Sequence, residues 1–204
     1  MPLEPFEHGW WIDVGKPQQS GRYILRGSDI ALLQQLTEHI VDPAVHLELP
    51  MARSVAEQVL PSDWGLASPE YLMTTDFKLP RVTALPAHCQ LLLDAEETEI
   101  RVSCVDNEGH PLSRGVCIVR GPDVIFDQIV TEAKARRQGL ASAVMDLLAR
   151  SAVRRGANRG VLLATAEGRR FYEALGWTAL SEVSKVISPM ESRSIRHLRI
   201  VSRQ

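Results

Sequence analysis

Nowhere in the 204 residues do 18 apolar residues follow one another, so no membrane span is expected. The opening Met1-Pro2-Leu3-Glu4-Pro5-Phe6-Glu7 lacks the basic and apolar regions of a secretory signal. Cysteine is scarce: Cys89, Cys104 and Cys117 are odd in number and follow no metal-like spacing. They read as small buried thiols of a reducing compartment, not as a disulfide frame, and the cytoplasm is the expected location. Two nucleotide signatures are also missing. Without Gly-x-x-x-x-Gly-Lys-Ser/Thr a triphosphate loop is not expected, and without Gly-x-Gly-x-x-Gly after an early strand a dinucleotide fold loses its main support. His8, His39, His46, His88, His110 and His197 form no ligand-like spacing with cysteines or carboxylates, so no metal is expected.

What is present is an ordinary globular composition, 45% hydrophobic and 24% charged, enough for one large domain or two small ones. Charge is unevenly spread. Residues 1–102 hold 7 basic and 15 acidic side chains, whereas residues 103–204 hold 16 and 10. The surplus of +6 in the second half suits an anionic ligand there, although attraction between two opposite halves gives the same pattern. Arg150, Arg154, Arg155, Arg159, Arg169 and Arg170 lack interleaved aromatics or a reading helix, so they read as a solvated helix face and no nucleic acid is expected.

Along the chain, Pro5, Gly9, Gly15 and Pro17 punctuate the first twenty residues, which read as irregular and anchored by Trp10 and Trp11. Residues 22–26 suggest a strand. Ser28 or Asp29 can cap a helix to about Ile40, with Ile30, Leu33, Leu36 and Ile40 inward. A strand at 45–49, a helix at 51–60 and extended chain at 65–77 follow, and Pro80 and Pro86 bracket a boundary. The expected division is a first α/β half at 1–85, a second domain at 86–190 and a basic tail at 191–204.

In the second half, strands at 99–106, 112–120 and 124–131 read as three antiparallel strands joined by tight turns. A helix then places Leu140, Val144, Leu147, Leu148 and Ser151 on one face and stops at Gly156. The next strand, 160–165, calls for a right-handed crossover and a parallel pair. A second helix carries Phe171-Tyr172-Glu173-Ala174-Leu175-Gly176-Trp177, and residues 179–187 supply a last strand or strand pair. Residues 20–78 repeat the order helix, strand, helix, Trp, extended chain. That recurrence reads as a degenerate copy or as chance in an α/β protein.

A helix N-terminus offers unpaired N–H groups and partial positive charge, which attract phosphate. In Arg136-Arg137-Gln138-Gly139-Leu140-Ala141 small residues alternate at the first turn beside two arginines, which meets the physical requirement of a diphosphate cradle. At this point the chain resembles the GNAT superfamily of acyl-CoA-dependent N-acetyltransferases, over roughly residues 90–188. Its Gln/Arg-x-x-Gly-x-Gly/Ala signature is matched by Arg136–Ala141, and its aromatic pair before Leu-Gly-Phe/Trp by Phe171–Trp177.

The resemblance implies a mixed, mostly antiparallel sheet flanked by helices, with the N-terminal α/β half packed alongside. It also implies acetyl-CoA as cosubstrate, an amine acceptor, and a monomer or homodimer. Backbone groups of Ile129, Val130 and Thr131 would pair with the pantetheine arm. Those of Arg136, Arg137, Gln138, Gly139, Leu140, Ala141 and Ser142 would hold the pyrophosphate. Tyr172 would protonate the departing thiolate, and Gly168, one turn earlier, would leave that face open. Thr165 stands where the family often has Asn, and its hydroxyl could still reach the cofactor. Asp127 is the base candidate, placed by alternation on one face with Ile125, Ile129 and Thr131; an exposed or structurally paired aspartate is the alternative. Glu132 is a weaker base, and Cys117 reads as core.

Residues 80–98 are too few for the two helices that usually wall the acceptor site in this family. The helix start at Asp29 would repel phosphate, so a first half that is a decayed copy keeps architecture without chemistry. Two functions therefore stand: acetyl transfer to an amine, and a regulatory module that holds acetyl-CoA without turnover.

Overall fold

A computed structural model describes residues 3–16, 19–77 and 83–189, so the basic tail expected at 191–204 lies outside the described residues. The chain forms two compact units drawn from separated stretches. The described residues of the first lie within 1–72, 164–169 and 179–204, and those of the second within 73–163 and 170–178. The sequence suggested a single boundary near residue 85. In the structure the stretches interleave, because long-range strand pairing decides membership.

The first unit contains β1 (Leu3–Phe6), β2 (Gly9–Lys16), β3 (Gln19–Leu25), α1 (Ile30–His39), β4 (Val45–Leu49), α2 (Arg53–Val59) and β5 (Gly65–Leu66). β1, β2 and β3 run antiparallel in turn, and β3 then pairs parallel with β4. The stretch expected to be irregular is therefore two strands. Pro5 is tolerated because, among the described residues, β1 pairs on one side only, with β2, and Gly15 makes the turn at φ +63°. Trp11 lies where a side chain of Gly21 would stand and meets Tyr23 at 4.7 Å between ring centroids, while Arg26 sits over Trp10 at 4.7 Å. Leu25, Leu33, Leu36, Leu47, Leu49, Met51, Ala56 and Val186 form this unit's core. Ile30, expected inside, is exposed at the first turn of α1.

The final strand, β12 (Thr178–Ile187), pairs antiparallel with β4 and β5. Glu182 accepts a hydrogen bond from the Arg53 backbone at 2.6 Å, and the Ser184 hydroxyl donates to Met51 O at 2.8 Å. β6 (Glu70–Asp76) and α4 (Ala166–Ala174) run across the division between the units.

The second unit contains β7 (Cys89–Ala95), β8 (Glu99–Asp106), β9 (Pro111–Arg120), β10 (Asp123–Thr131), α3 (Leu140–Val153) and β11 (Arg159–Thr165) up to Leu163. Four antiparallel strands precede α3, not three. β7 was hidden because Gln90-Leu91-Leu92-Leu93 does not alternate in polarity, the signal that marks a half-buried strand. β7 and β8 are joined through a turn closed by Glu96 N–H donating to Glu99 O at 2.9 Å. No helix intervenes there, as the short sequence required.

α3 packs on β8, β9 and β10, and Leu140, Val144 and Leu148 of the helix are buried, as are Ile100, Val102 and Cys117 of the strands. Phe126 meets Phe77 and Trp177 edge-on, at 6.0 and 5.4 Å. Gly160 is required under this cluster, since a Cβ there would stand 2.8 Å from both Phe77 and Trp177. The whole is a mixed α/β protein with a mostly antiparallel open sheet flanked by helices. Among the described residues, no helix is long and apolar enough to cross a membrane.

Candidate functional site

The site grows from a parting of two strands. β10 and β11 pair in parallel at only three positions, Asp123 with Arg159, Val124 with Gly160 and Ile125 with Val161. Asp123 and Arg159 clamp this end through two hydrogen bonds, 2.6 and 3.0 Å, and the guanidinium lowers the Asp123 carboxyl below its usual range. Beyond Ile125, β10 continues to Thr131 without β11 as a partner, which leaves polar backbone groups facing an opening.

A bulge widens that opening. The register of β10 on β9 shifts between Asp127 and Val130, and Gln128 takes φ +53°. Asp127 holds the distortion, its Oδ1 accepting from the Gln128 N–H at 2.7 Å. The extra residue turns the following side chains over. Ile129 swings onto Gly115, where a Cβ would stand 2.4 Å from Ile129 Cδ1, 3.0 Å from Leu148 Cδ1 and 3.1 Å from Val144 Cγ1 of α3. Thr131 joins the same face, its hydroxyl 2.8 Å from that of Ser113.

This overturns the expected grouping. Asp127 shares a face with Ile125 but not with Ile129 or Thr131, because simple alternation fails at the inserted residue. Asp127 is exposed, and the bond to the neighbouring Gln128 N–H occupies one of its carboxylate oxygens. Its second carboxylate oxygen has no part in that bond.

From Thr131 the chain passes Glu132, which is exposed, and a 3-10 turn at Ala133–Ala135 into the arginine–glycine loop. Arg136, Arg137, Gln138 and Gly139 are exposed. Arg137 and Gly139 both have left-handed φ, +62° and +77°, which curls the backbone into the kind of N–H concavity that binds anions. Gly139 occupies the N-cap position of α3 and, having no side chain, leaves the helix start without a side-chain cap. The first bond within the helix runs from Ala143 N–H to Gly139 O, so the amides of Leu140, Ala141 and Ser142 precede the ladder. In the first unit the N-terminus of α1 is filled from within. The Asp29 carboxylate accepts from Ala31 and Leu32 N–H at 2.9 and 3.2 Å.

Tyr172 lies on α4, 8% exposed, with its ring 5.0 Å from Phe171 and 5.9 Å from Trp177. Burial first, and the charge of Asp127 second, push its hydroxyl up to about 12. It is thus a protonated donor across neutral pH. Thr165 and Gly168 act on each other: the Thr165 hydroxyl accepts from Gly168 N–H at 3.1 Å and caps α4. Cys117 is fully buried, with its thiol pushed up to about 12 by desolvation, as a core residue should be.

Sequence reasoning missed Gly115, Ser113, and the bond from the Thr83 hydroxyl to Asp146 of α3. None of these has a local signature; each is visible only once strand register is fixed. It also missed a cluster in the β8–β9 turn, where Asp106, Glu108 and His110 bring ligand atoms within 4.8 Å of one another. There the Asp106 carboxylate is occupied in closing the turn, accepting from Glu108 and His110 N–H at 3.0 and 2.8 Å.

Comparison with known proteins finds the same fold elsewhere. A GCN5-related N-acetyltransferase from Kribbella flavida has a similar structure, with a TM-score of 0.68 at 15% identity over 93% of this chain and 90% of that one. A GCN5-related N-acetyltransferase-like protein from Streptococcus suis gives 0.55 at 16% over 88% of each. A tandem GNAT protein from the clavulanic acid biosynthesis pathway gives 0.61 at 10%, over 85% of this chain and 76% of that one. Identities this low speak to the fold alone. No curated protein matches the chain. The family model described as acetyltransferase (GNAT) family matches residues 67–177, more than half of the length, and contains the bulged strand, the arginine–glycine loop and Tyr172. The chain therefore belongs to the acetyltransferase (GNAT) family.

Proposed function

We propose that the protein transfers an acetyl group from acetyl-CoA to a primary amine by direct attack. The observation that carries this reading is the opening beyond Ile125 and Val161, bordered by a bulged strand that leads into the uncapped N-terminus of α3. Backbone groups of Ile129, Val130 and Thr131 offer strand-like pairing to an amide-bearing arm. The N–H groups of Arg137 to Ser142, with Arg136 and Arg137 beside them, offer a diphosphate both hydrogen bonds and charge. Acetyl-CoA presents both features and supplies a thioester.

In the transfer, the amine nitrogen forms a bond to the carbonyl carbon and the carbon–sulfur bond breaks. The buried Tyr172 hydroxyl gives its proton to the leaving sulfur. The free oxygen of Asp127, or water, takes the proton lost by the amine. Gly168 keeps the helix face before Tyr172 small, and the Thr165 hydroxyl, while capping α4, retains a proton to donate.

The first unit is read as a degenerate copy. It has the same connectivity, with β3–α1–β4 parallel as β10–α3–β11 is. Yet β3 and β4 stay paired at four positions, to Ile24 and Glu48, so no opening forms, and Asp29 fills its anion position. Likeness to a tandem GNAT protein supports this. The free thiols, two of them buried, suit the cytoplasm.

One observation favours a second reading, a module that binds acetyl-CoA without turnover: a tight turn replaces the helices expected to wall the acceptor. Thiol release from acetyl-CoA over a broad amine panel decides between them. Calorimetric binding with no release on any amine would leave only the second.

A further inference from the structure

We propose that the acceptor is a monoamine carried on an apolar body, and that it approaches across the sheet face opposite α3. This rests on the transferase reading above and goes on to the acceptor, which nothing yet constrains. Strand register decides which side chains share that face. Gly115 would point its Cβ at Val144 and Leu148, so Gly115 and Cys117, with Phe126 opposite Cys117, look towards α3. Val116 and Ile118 look the other way, as do their partners Asp127 and Ile125, and Val161 opposite Ile125.

Ile125 and Val161 are the last paired residues before the strands part. Two residues further along each strand, on the same face, stand Asp127 and Leu163. The mouth of the opening therefore has one anionic lip and one apolar lip, with Ile125, Val161 and Ile118 as its apolar floor. Ile125 is 48% and Leu163 49% exposed, far more than strand residues of their size in a covered sheet. Between β7 and β8 the chain has only the turn at residues 96–98, with no helix.

An ammonium group suits Asp127, and an alkyl or aromatic body suits Leu163 and the floor. Arg114, exposed and on the same face two residues before Val116, opposes a second cation within a Debye length. Arg101, opposite Val116 on β8, is paired with Glu99. A polyamine therefore meets repulsion where an apolar monoamine meets none. The amine loses one proton as its nitrogen bonds the acetyl carbon, and that nitrogen must be deprotonated close to Asp127, where its cationic form is gathered.

The test uses the full chain with acetyl-CoA and four acceptors: phenethylamine, hexylamine, ethanolamine and spermidine, followed by thiol release. The expected result is kcat/KM for the first two at least about tenfold above the last two. Leu163→Asn is expected to raise KM for phenethylamine about tenfold, leaving the KM for acetyl-CoA as it was. Asp127→Asn keeps an oxygen for Gln128 N–H but loses the charge, and is expected to raise KM for every amine. Equal or better turnover of spermidine or ethanolamine overturns the proposal, as does a Leu163→Asn variant with an unchanged amine preference. Acetyl-CoA bound in calorimetry with all four amines inert sinks the transferase reading itself, and this proposal with it.

Discussion

The charge of Asp127 bears on the hydroxyl of Tyr172, adding to burial in holding that phenol at about 12. The two residues sit on different elements, β10 and α4, and neither alone explains the site. Replacing Asp127 by Asn is expected to bring the Tyr172 hydroxyl down from about 12 while leaving it above the ordinary 10.0, since burial is the larger cause. A site-specific 13C label on the tyrosine ring, followed through an alkaline titration, measures the change. Tyr172→Phe is expected to lower kcat by about 100-fold or more with acetyl-CoA affinity preserved. An unchanged kcat would remove Tyr172 from the chemistry.

Gly139 stands at φ +77° in front of the unladdered amides of α3. Gly139→Val is expected to weaken acetyl-CoA binding by at least about tenfold, because a branched side chain both strains this conformation and crowds the anion's approach. Calorimetry on Gly139→Ala and Gly139→Val separates the two causes: strain costs both variants about 1–2 kcal/mol of stability, whereas crowding grows with side-chain size.

The bulge can be tested through its packing partner. Gly115→Ala puts a methyl group 2.4 Å from Ile129 Cδ1, and is expected to destabilise the protein by about 1–3 kcal/mol. Ile129→Val removes the atom in the way, so the double variant should recover part of that loss. Additive losses in denaturant unfolding would show that Ile129 does not lie over Gly115.

Stability should fall on the alkaline side. Desolvation raises Cys104 to about 11 and Cys117 to about 12, from 9.0, and Tyr172 to about 12, from 10.0. In each case the folded protein holds its proton more tightly than the unfolded chain. The stabilisation is complete below pH 9 and is lost as pH rises from 9 towards 12. Thermal unfolding across that window checks the sign, and Cys117→Ala should flatten the decline. At pH 8 a thiol reagent should find Cys104 and Cys117 inert in the folded state, since both are fully buried.

The parts of this site that were readable in the chain are those encoded locally. Arg136 to Ala141 announces a helix start because small residues and arginines are adjacent there, and Tyr172 is marked by the aromatic pair before Leu175-Gly176-Trp177. Asp29 reads as a cap from its place before an amphipathic run, and caps α1 through two amides. What could not be read depends on residues far apart. The bulge at Gln128 needs Gly115 across the sheet, and no pattern within β10 reveals that Ile129 and Thr131 change faces. β1 and β2 were hidden by Pro5, Gly9 and Gly15, whose breaking tendency is overridden by Trp11 packing over Gly21. The interleaving of the units follows from β12 meeting β4, a pairing across more than a hundred residues.

That last pairing sets an order of events during synthesis. β4 is complete at Leu49, yet the strand that covers its outer edge ends at Ile187, near the end of the chain. While the ribosome adds the intervening residues, β4 presents an open edge of the kind that recruits other strands. A nascent chain halted before residue 178 should be held by chaperones or aggregate through this edge, and release of β12 from the exit tunnel should close it.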